Sequence, residues 1–116
     1  QENLFGRSKA DSTRLDVQVP TSHLSHVELR EGATADASVP KRGEMVRRST
    51  PYAFHDGTVG LYFMGFCKEQ APMRERMEAI YGMNGQARDA LTDYSTPASG
   101  SFYFAPSADA LDAALA

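Results

Sequence analysis

The chain has 116 residues, with 12 lysine and arginine side chains against 15 aspartate and glutamate side chains, so its formal net charge is −3 at neutral pH. This length is enough for one domain and too short for two ordinary cores, and the acidic balance disfavours a nucleic-acid-binding protein. The single cysteine excludes an internal disulfide, and no apolar stretch reaches the roughly 18–20 residues that span a membrane.

In chain order, the first predicted element is the end of a helix over residues 2–5, with Gly6 as its stop. A polar loop over residues 10–22 follows it. Polar and apolar residues then alternate over 26–30, which predicts a short strand. Residues 31–43 are mainly small, charged or proline residues and predict a surface excursion.

The middle of the chain predicts a β-hairpin. A strand is expected over residues 45–50, closed by Pro51, and the Asp-Gly pair at 56–57 predicts a tight turn. Residues 59–67 form an almost wholly apolar run. That pattern predicts a strand in the middle of a sheet, covered on both faces, and makes Cys67 a buried side chain.

The last part of the sequence is mainly helical in pattern. A helix is expected over residues 72–82, since methionines and an isoleucine recur there at helical spacing, and a second short helix over 85–94. Residues 100–104 alternate like a final strand, and residues 109–116 predict a terminal helix or a frayed tail. Strands in a block followed by helices indicate an α+β fold rather than a doubly wound parallel sheet.

Residue types alone single out no active site. Of the three histidines, His23 and His26 lie three residues apart, which would place them on opposite faces of a strand and not on one metal. His55 lies beside the Asp-Gly turn. The sequence contains no HExxH, GxSxG, GxGxxG or P-loop motif. Any one histidine taken by itself is more often structural or solvated than a ligand.

Whole segments carry more information than single residues. Five blocks stand out, which are Phe-Gly-Arg-Ser-Lys at residues 5–9, Thr-Ser-His-Leu-Ser-His-Val-Glu-Leu at 21–29, Val-Arg-Arg-Ser-Thr-Pro-Tyr at 46–52, Gly-Leu-Tyr-Phe at 60–63 and Asp-Tyr-Ser-Thr-Pro-Ala-Ser-Gly-Ser-Phe-Tyr-Phe-Ala-Pro-Ser at 93–107. Taken together and in order, these blocks resemble the C-terminal part of dye-decolourising peroxidases, and most of all the bacterial YfeX-like branch.

The resemblance implies a ferredoxin-like α+β fold with an antiparallel sheet and packed helices, as part of a dimeric α+β barrel peroxidase. Residues 1–116 would form its C-terminal haem-binding domain, incomplete at the N-terminal side. The family's distal aspartate would then lie upstream of Gln1, and Asp56 should not be taken for it.

The resemblance also implies roles for particular side chains around haem b. His23 matches the axial ligand of the haem iron, and Arg47 matches the arginine on the peroxide side of the haem. Ser49 matches a small polar residue on that same side. Asp89 matches a carboxylate beside the axial histidine, with Asp93 as a neighbouring alternative.

Three functions remain open at this point. The first is a haem-dependent peroxidase that reduces hydrogen peroxide and oxidises small organic or dye-like donors. The second is a module that binds haem or another porphyrin without peroxidase turnover, and the third is a non-catalytic ferredoxin-like interaction domain. For the peroxidase we expect a cytoplasmic, homo-oligomeric protein with no nucleic-acid or membrane partner.

Overall fold

The structure is a computed structural model that describes residues 1–28 and 43–116. The predicted surface excursion over 31–43 therefore lies outside the described residues except for Gly43. The elements are helices α1 Glu2–Phe5 and α2 His23–Val27, strands β1 Val46–Ala53 and β2 Val59–Phe66, helix α3 Ala71–Ile80, a 3₁₀ helix Ala90–Asp93 and helix α4 Ala108–Leu115.

The first two helices are set by their end residues. Helix α1 ends at Gly6, as predicted, and Gly6 has a left-handed φ of 77° that a residue with a side chain rarely adopts. Helix α2 begins after Ser22, whose hydroxyl accepts a hydrogen bond from the backbone N–H of Ser25. The strand predicted from residue 26 is wrong over residues 26–28, because this cap starts a helix there that ends with Glu28 as its C-cap. Residues 29 and 30 of that prediction lie outside the described residues.

Helix α3 confirms the helix predicted from Pro72, and it ends just before Gly82, which has a φ of 69°. Helix α2 packs on α3. The buried apolar side chains of the described residues are Leu24 and Val27 in α2 and Ala79 in α3. This helical region holds the core.

Strands β1 and β2 form an antiparallel hairpin whose register runs from Val46 opposite Phe66 to Ala53 opposite Val59. The Asp-Gly turn is confirmed, with Gly57 at a φ of 85°. Strand β1 continues through Pro51, where the sequence predicted its end, because a strand with a free edge tolerates a proline.

The prediction that β2 is a central strand covered on both faces is wrong in this structure. Among the described residues β2 has one neighbouring strand, and large apolar side chains are exposed on both of its faces. Cys67, expected to be buried, is partly exposed. The apolar run correctly indicated a strand, but a two-stranded sheet provides no second neighbour and no covering layer.

The C-terminal part is less regular than predicted. The helix expected over 85–94 is reduced to the 3₁₀ helix, because the backbone at Asp89 is extended, with a ψ of 121°, and a helix can begin only after it. Residues 100–104 pair with no strand in the part of the chain that the structure describes. Helix α4 forms as predicted, capped by Ser107. No helix within residues 1–28 and 43–116 is long and apolar enough to cross a membrane.

Candidate functional site

The structure brings together two of the predicted site residues, which are 66 positions apart in the sequence. His23 is the first residue of helix α2, and Asp89 directly precedes the 3₁₀ helix. The Nδ1 atom of His23 lies 2.6 Å from Oδ2 of Asp89. Asp89 is 1% exposed, whereas the side chain of His23 is 33% exposed. The pair therefore has a buried anion behind a histidine that reaches the surface.

Asp89 is held in place by several hydrogen bonds besides the one to His23. Its Oδ1 accepts the backbone N–H of Leu91 at 2.8 Å, which caps the 3₁₀ helix. Its own N–H donates to the carbonyl of Ile80 at 3.0 Å, and the N–H of Ala90 donates to the carbonyl of Thr21 at 2.9 Å. These bonds tie the segment that carries Asp89 both to the end of α3 and to the start of α2.

The pairing gives the two ring nitrogens of His23 different tasks. A carboxylate only accepts hydrogen bonds, so Nδ1 is assigned the proton and Nε2 the lone pair. Nε2 has no hydrogen-bond partner among the described residues. A histidine whose Nδ1–H donates to a carboxylate while Nε2 stays available is the usual form of a metal-ligating histidine. No group of three or more histidine, cysteine or acidic side chains that could hold a metal occurs within the described ranges. The single imidazole nitrogen matches the donor set of an axial ligand, for which a porphyrin supplies the other donors.

His26 does not offer a second ligand. Its ring is 1% exposed, and both nitrogens are already used, with Nδ1 2.7 Å from the carbonyl of Ser22 and Nε2 2.6 Å from the carbonyl of Ala87. The two histidines lie on one short helix, whereas the sequence indicated a loop at His23 and a strand from His26.

The structure does not bring Arg47 and Ser49 to the His23–Asp89 pair. They lie two residues apart on β1, so they share one face of the hairpin, opposite Gly65 and Phe63. Both are exposed, and no hydrogen bond or ion pair described here joins either of them to His23 or Asp89. Their predicted roles stay predictions.

Asp93, the alternative partner for His23, pairs with Arg88 at the surface. The contact with His23 is made by Asp89. The sequence offered two carboxylates four residues apart and could not decide between them. The fold decides, because Asp89 caps the 3₁₀ helix on its buried side whereas Asp93 is its last, exposed residue.

Sequence reasoning missed Arg76, a buried cation that links the two parts of the molecule. Its guanidinium donates to the carbonyls of Val27, Pro72 and Gly43, at 3.0, 2.8 and 2.7 Å. Val27 ends α2, and Gly43 precedes β1. In the sequence, Arg76 sits among charged residues of a predicted helix and is typical of a solvated face, so no local signal marks it.

Comparison with known proteins relates the chain to dye-decolourising peroxidases. A family model described as "Dyp-type peroxidase, C-terminal" matches residues 1–110. A dye-decolorizing peroxidase of Mycobacterium tuberculosis is 29% identical over 114 residues, which cover 97% of this chain and 33% of that protein. One of Mycolicibacterium paratuberculosis is 28% identical over 114 residues, covering 97% of this chain and 31% of that protein. The chain thus spans about a third of the length of these curated relatives.

A solved structure shows the same relationship. The chain is similar to a dye-decolorizing protein from V. cholerae, with a TM-score of 0.57 and 31% sequence identity, over 72% of this chain and 26% of that one. The antiparallel hairpin with packed helices agrees with the ferredoxin-like α+β fold that the sequence predicted. The family match covers nearly all of the chain, and the fold is consistent with it. The chain therefore belongs to the Dyp-type peroxidase family and corresponds to its C-terminal part.

Proposed function

We propose that the chain forms the C-terminal haem-binding, ferredoxin-like domain of a haem-dependent peroxidase, with residues 1–116 lacking the N-terminal side of that domain. Membership of the family implies a haem cofactor, and we propose haem b. The substrates would be hydrogen peroxide and small organic or dye-like electron donors. The observation that carries the proposal is the buried Asp89 carboxylate, 2.6 Å from Nδ1 of a partly exposed His23.

His23 suits an axial ligand because its Nε2 lone pair is free and its ring is fixed. Asp89 would keep the proton on Nδ1 and make the imidazole a stronger electron donor. Bound haem would supply the redox chemistry of peroxide reduction. The chain's own part on this side is to hold one nitrogen at a fixed position and orientation.

We assign Arg47 and Ser49 to the peroxide side. A guanidinium is always charged, so Arg47 would stabilise negative charge that develops on a peroxide oxygen. The Ser49 hydroxyl can donate and accept a hydrogen bond, and would orient peroxide or a water. Their common face on β1 supports a joint role, since residues i and i+2 of a strand project in the same direction.

A haem titration followed by absorption spectroscopy tests the assignment of the ligand. We expect a Soret band in the parent protein that is lost or shifted in His23→Ala. Asp89→Asn keeps the size of the side chain and removes its charge, and should weaken haem binding by roughly 10–100-fold. His55→Ala, at the exposed hairpin turn, is the matched control and should leave the spectrum unchanged. An unchanged spectrum in His23→Ala would contradict the assignment.

Two other functions are separated from this one by simple measurements. A haem-binding module without turnover would show the Soret band but no peroxide-dependent oxidation of a dye. An interaction domain would show neither. We further propose a cytoplasmic homo-oligomer without nucleic-acid or membrane partners, on the resemblance alone; fractionation of cells and light scattering on the purified protein would check the first two points.

A further inference from the structure

A second histidine, His26, lies immediately behind the His23–Asp89 pair and has no part in the proposed function. It is buried, at 1% exposed, in the last turn of helix α2. Both ring nitrogens make short contacts, to the carbonyl of Ser22 at 2.7 Å and to the carbonyl of Ala87 at 2.6 Å. The first contact lies within its own helix and cap, and the second crosses to the segment that carries Asp89.

The hydrogen-bonding chemistry of these partners lets the His26 ring hold helix α2 and the segment with Ala87 together, and we call this bridge the clamp. A carbonyl oxygen only accepts hydrogen bonds, so with its proton on Nε2 the ring donates to the carbonyl of Ala87. Ser25 adds to the same network, with its hydroxyl 2.7 Å from the Ser22 carbonyl and 3.2 Å from Nδ1 of His26. The Ser22 carbonyl already accepts the backbone N–H of Ser25 at 3.1 Å and its hydroxyl at 2.7 Å, so a single proton on Nε2 is enough for His26 to bridge helix α2 and Ala87.

The clamp acts two residues upstream of Asp89. Downstream, the N–H of Ala90 donates to the carbonyl of Thr21 at 2.9 Å. The segment from Ala87 to Ala90 is therefore fastened to the start of α2 on both sides of the aspartate, once by a side chain and once by the backbone. Without the His26 bond, the carbonyl of Ala87 is released from α2, and the bonds of Asp89 to Ile80 and Leu91 and of Ala90 to Thr21 hold the carboxylate against His23 less firmly.

We propose that His26 is a positioning residue for the His23–Asp89 pair: it ties the Ala87 carbonyl to helix α2 and so fixes the carboxylate against Nδ1 of His23. The inference rests on the proposed function in that this pair is taken to hold the axial ligand. The contacts themselves do not depend on haem. Loss of the clamp removes neither His23 nor Asp89, but it should weaken the hydrogen bond between them.

The test compares His26→Phe and His26→Gln in the full, haem-free chain, uniformly labelled with ¹⁵N, by NMR at mildly alkaline pH. Phenylalanine fills the space without donating a hydrogen bond, whereas the side-chain amide of glutamine can still donate one. In the parent, His23 should carry its proton on Nδ1 alone. In His26→Phe we expect the Nε2–H form of His23 to be populated as well, and amide exchange at Ala90 to become about tenfold faster, as for the loss of one hydrogen bond.

His26→Gln should fall between the parent and His26→Phe on both readouts, and it decides the matter if His26→Phe does not fold. His55→Phe and His55→Gln, at the exposed turn of the hairpin, are matched controls and should change neither readout. A His23 tautomer and an Ala90 exchange rate that match the parent in the folded His26 variants would overturn the proposal. So would an equal response in the His55 variants.

The absence of haem from this experiment separates its failure from that of the proposed function. An altered His23 tautomer supports the clamp even if the haem titration shows no ligation by His23. An unaltered tautomer overturns the clamp even if His23 does bind haem.

Discussion

The two regions that carry the candidate residues are built in different ways. In the helical region, Nδ1 of His23 lies 2.6 Å from Oδ2 of Asp89, and the buried polar side chains of this region form hydrogen bonds. In the hairpin, Arg47 and Ser49 share a face but are exposed, as are both faces of the sheet around them. The chain thus sets the geometry of the His23–Asp89 pair by its own bonds, whereas the surroundings of Arg47 and Ser49 depend on what the hairpin packs against.

The difference has an energetic basis. The helical region combines a small apolar core with charge-assisted hydrogen bonds to backbone carbonyls, which are stronger than neutral ones. A two-stranded hairpin by itself is marginally stable in water, because strand pairing is not accompanied by burial of a face. The apolar side chains of β2 can stabilise the fold only when another surface covers them.

The largest expected effect is the loss of stability in Leu24→Ala, in the helical region, and Leu61→Ala in the hairpin is its counterpart. Leu24 is 6% exposed and Leu61 is 61% exposed. In the 116-residue chain, Leu24→Ala should lower the free energy of unfolding by about 2–5 kcal/mol, because it removes buried methyl groups and leaves a cavity. Leu61→Ala should change it by less than about 0.5 kcal/mol.

Urea denaturation followed by far-UV circular dichroism measures both variants. A cost at Leu61 comparable with that at Leu24 would show that the hairpin face is covered in solution, and would remove the contrast between the regions. A cost at Leu61 that increases with protein concentration would identify self-association as the cover.

The next effect concerns the link between the regions. Arg76→Met keeps much of the aliphatic stem and removes the guanidinium that bonds Val27 and Gly43. The substitution should lower the free energy of unfolding by about 1.5–3 kcal/mol, because the backbone carbonyls lose the charged group that donates hydrogen bonds to them. Arg74→Met is the control, because Arg74 forms an exposed pair with Glu78 one helical turn on, and solvent-exposed ion pairs contribute little to stability.

Amide exchange resolved by residue would show where the Arg76 variant opens. We expect faster exchange at the end of α2 and at the start of β1 together. Equal stability of the Arg76 and Arg74 variants would contradict the view that Arg76 joins the two regions.

The parts of the fold that the sequence predicts are those with local signals. Gly6, the Asp-Gly turn and Pro72 each mark an element end through backbone preferences that need no tertiary contact, and all three are confirmed. The strand predicted from His26 failed because alternation over five residues is weaker than the cap that Ser22 provides. Burial of β2 could not be predicted from its apolar run, because burial depends on neighbours that the run does not specify.

The candidate site shows the same division. Segment resemblance predicted that Asp89 would lie near His23, and the two are in contact, although the role of the pair remains a prediction. The functions of His26 and Arg76 in the fold escaped prediction, since each bonds to backbone carbonyls, and a carbonyl leaves no trace in residue identity. Contacts of this kind become visible only when the chain is folded.

The smallest expected effect is at the hairpin turn. The backbone N–H of Thr58, which donates to Oδ1 of Asp56 at 2.9 Å, and then the Thr58 hydroxyl hold the pKa of the Asp56 carboxyl below its ordinary value of 3.8. Because the folded pKa is the lower one, the turn gains stability above the ordinary value and loses it as pH falls through the folded pKa. Asp11 is the counterpart in the helical region, where Thr13 lowers the pKa of its carboxyl in the same way.

Proton NMR between pH 7 and pH 2 tests whether the two turns respond independently. We expect the amide signal of Thr58 to lose its hydrogen-bonded shift at the acid end, with fraying limited to the hairpin, and Asp56→Ala to produce the same state at pH 7. Asp11→Ala should affect only its own loop. A looser Asp89–His23 contact in Asp56→Ala would show that the hairpin and the helical region are coupled through Arg76 more tightly than their different construction implies. The geometry of the His23–Asp89 pair would then depend on the hairpin as well as on the helical region.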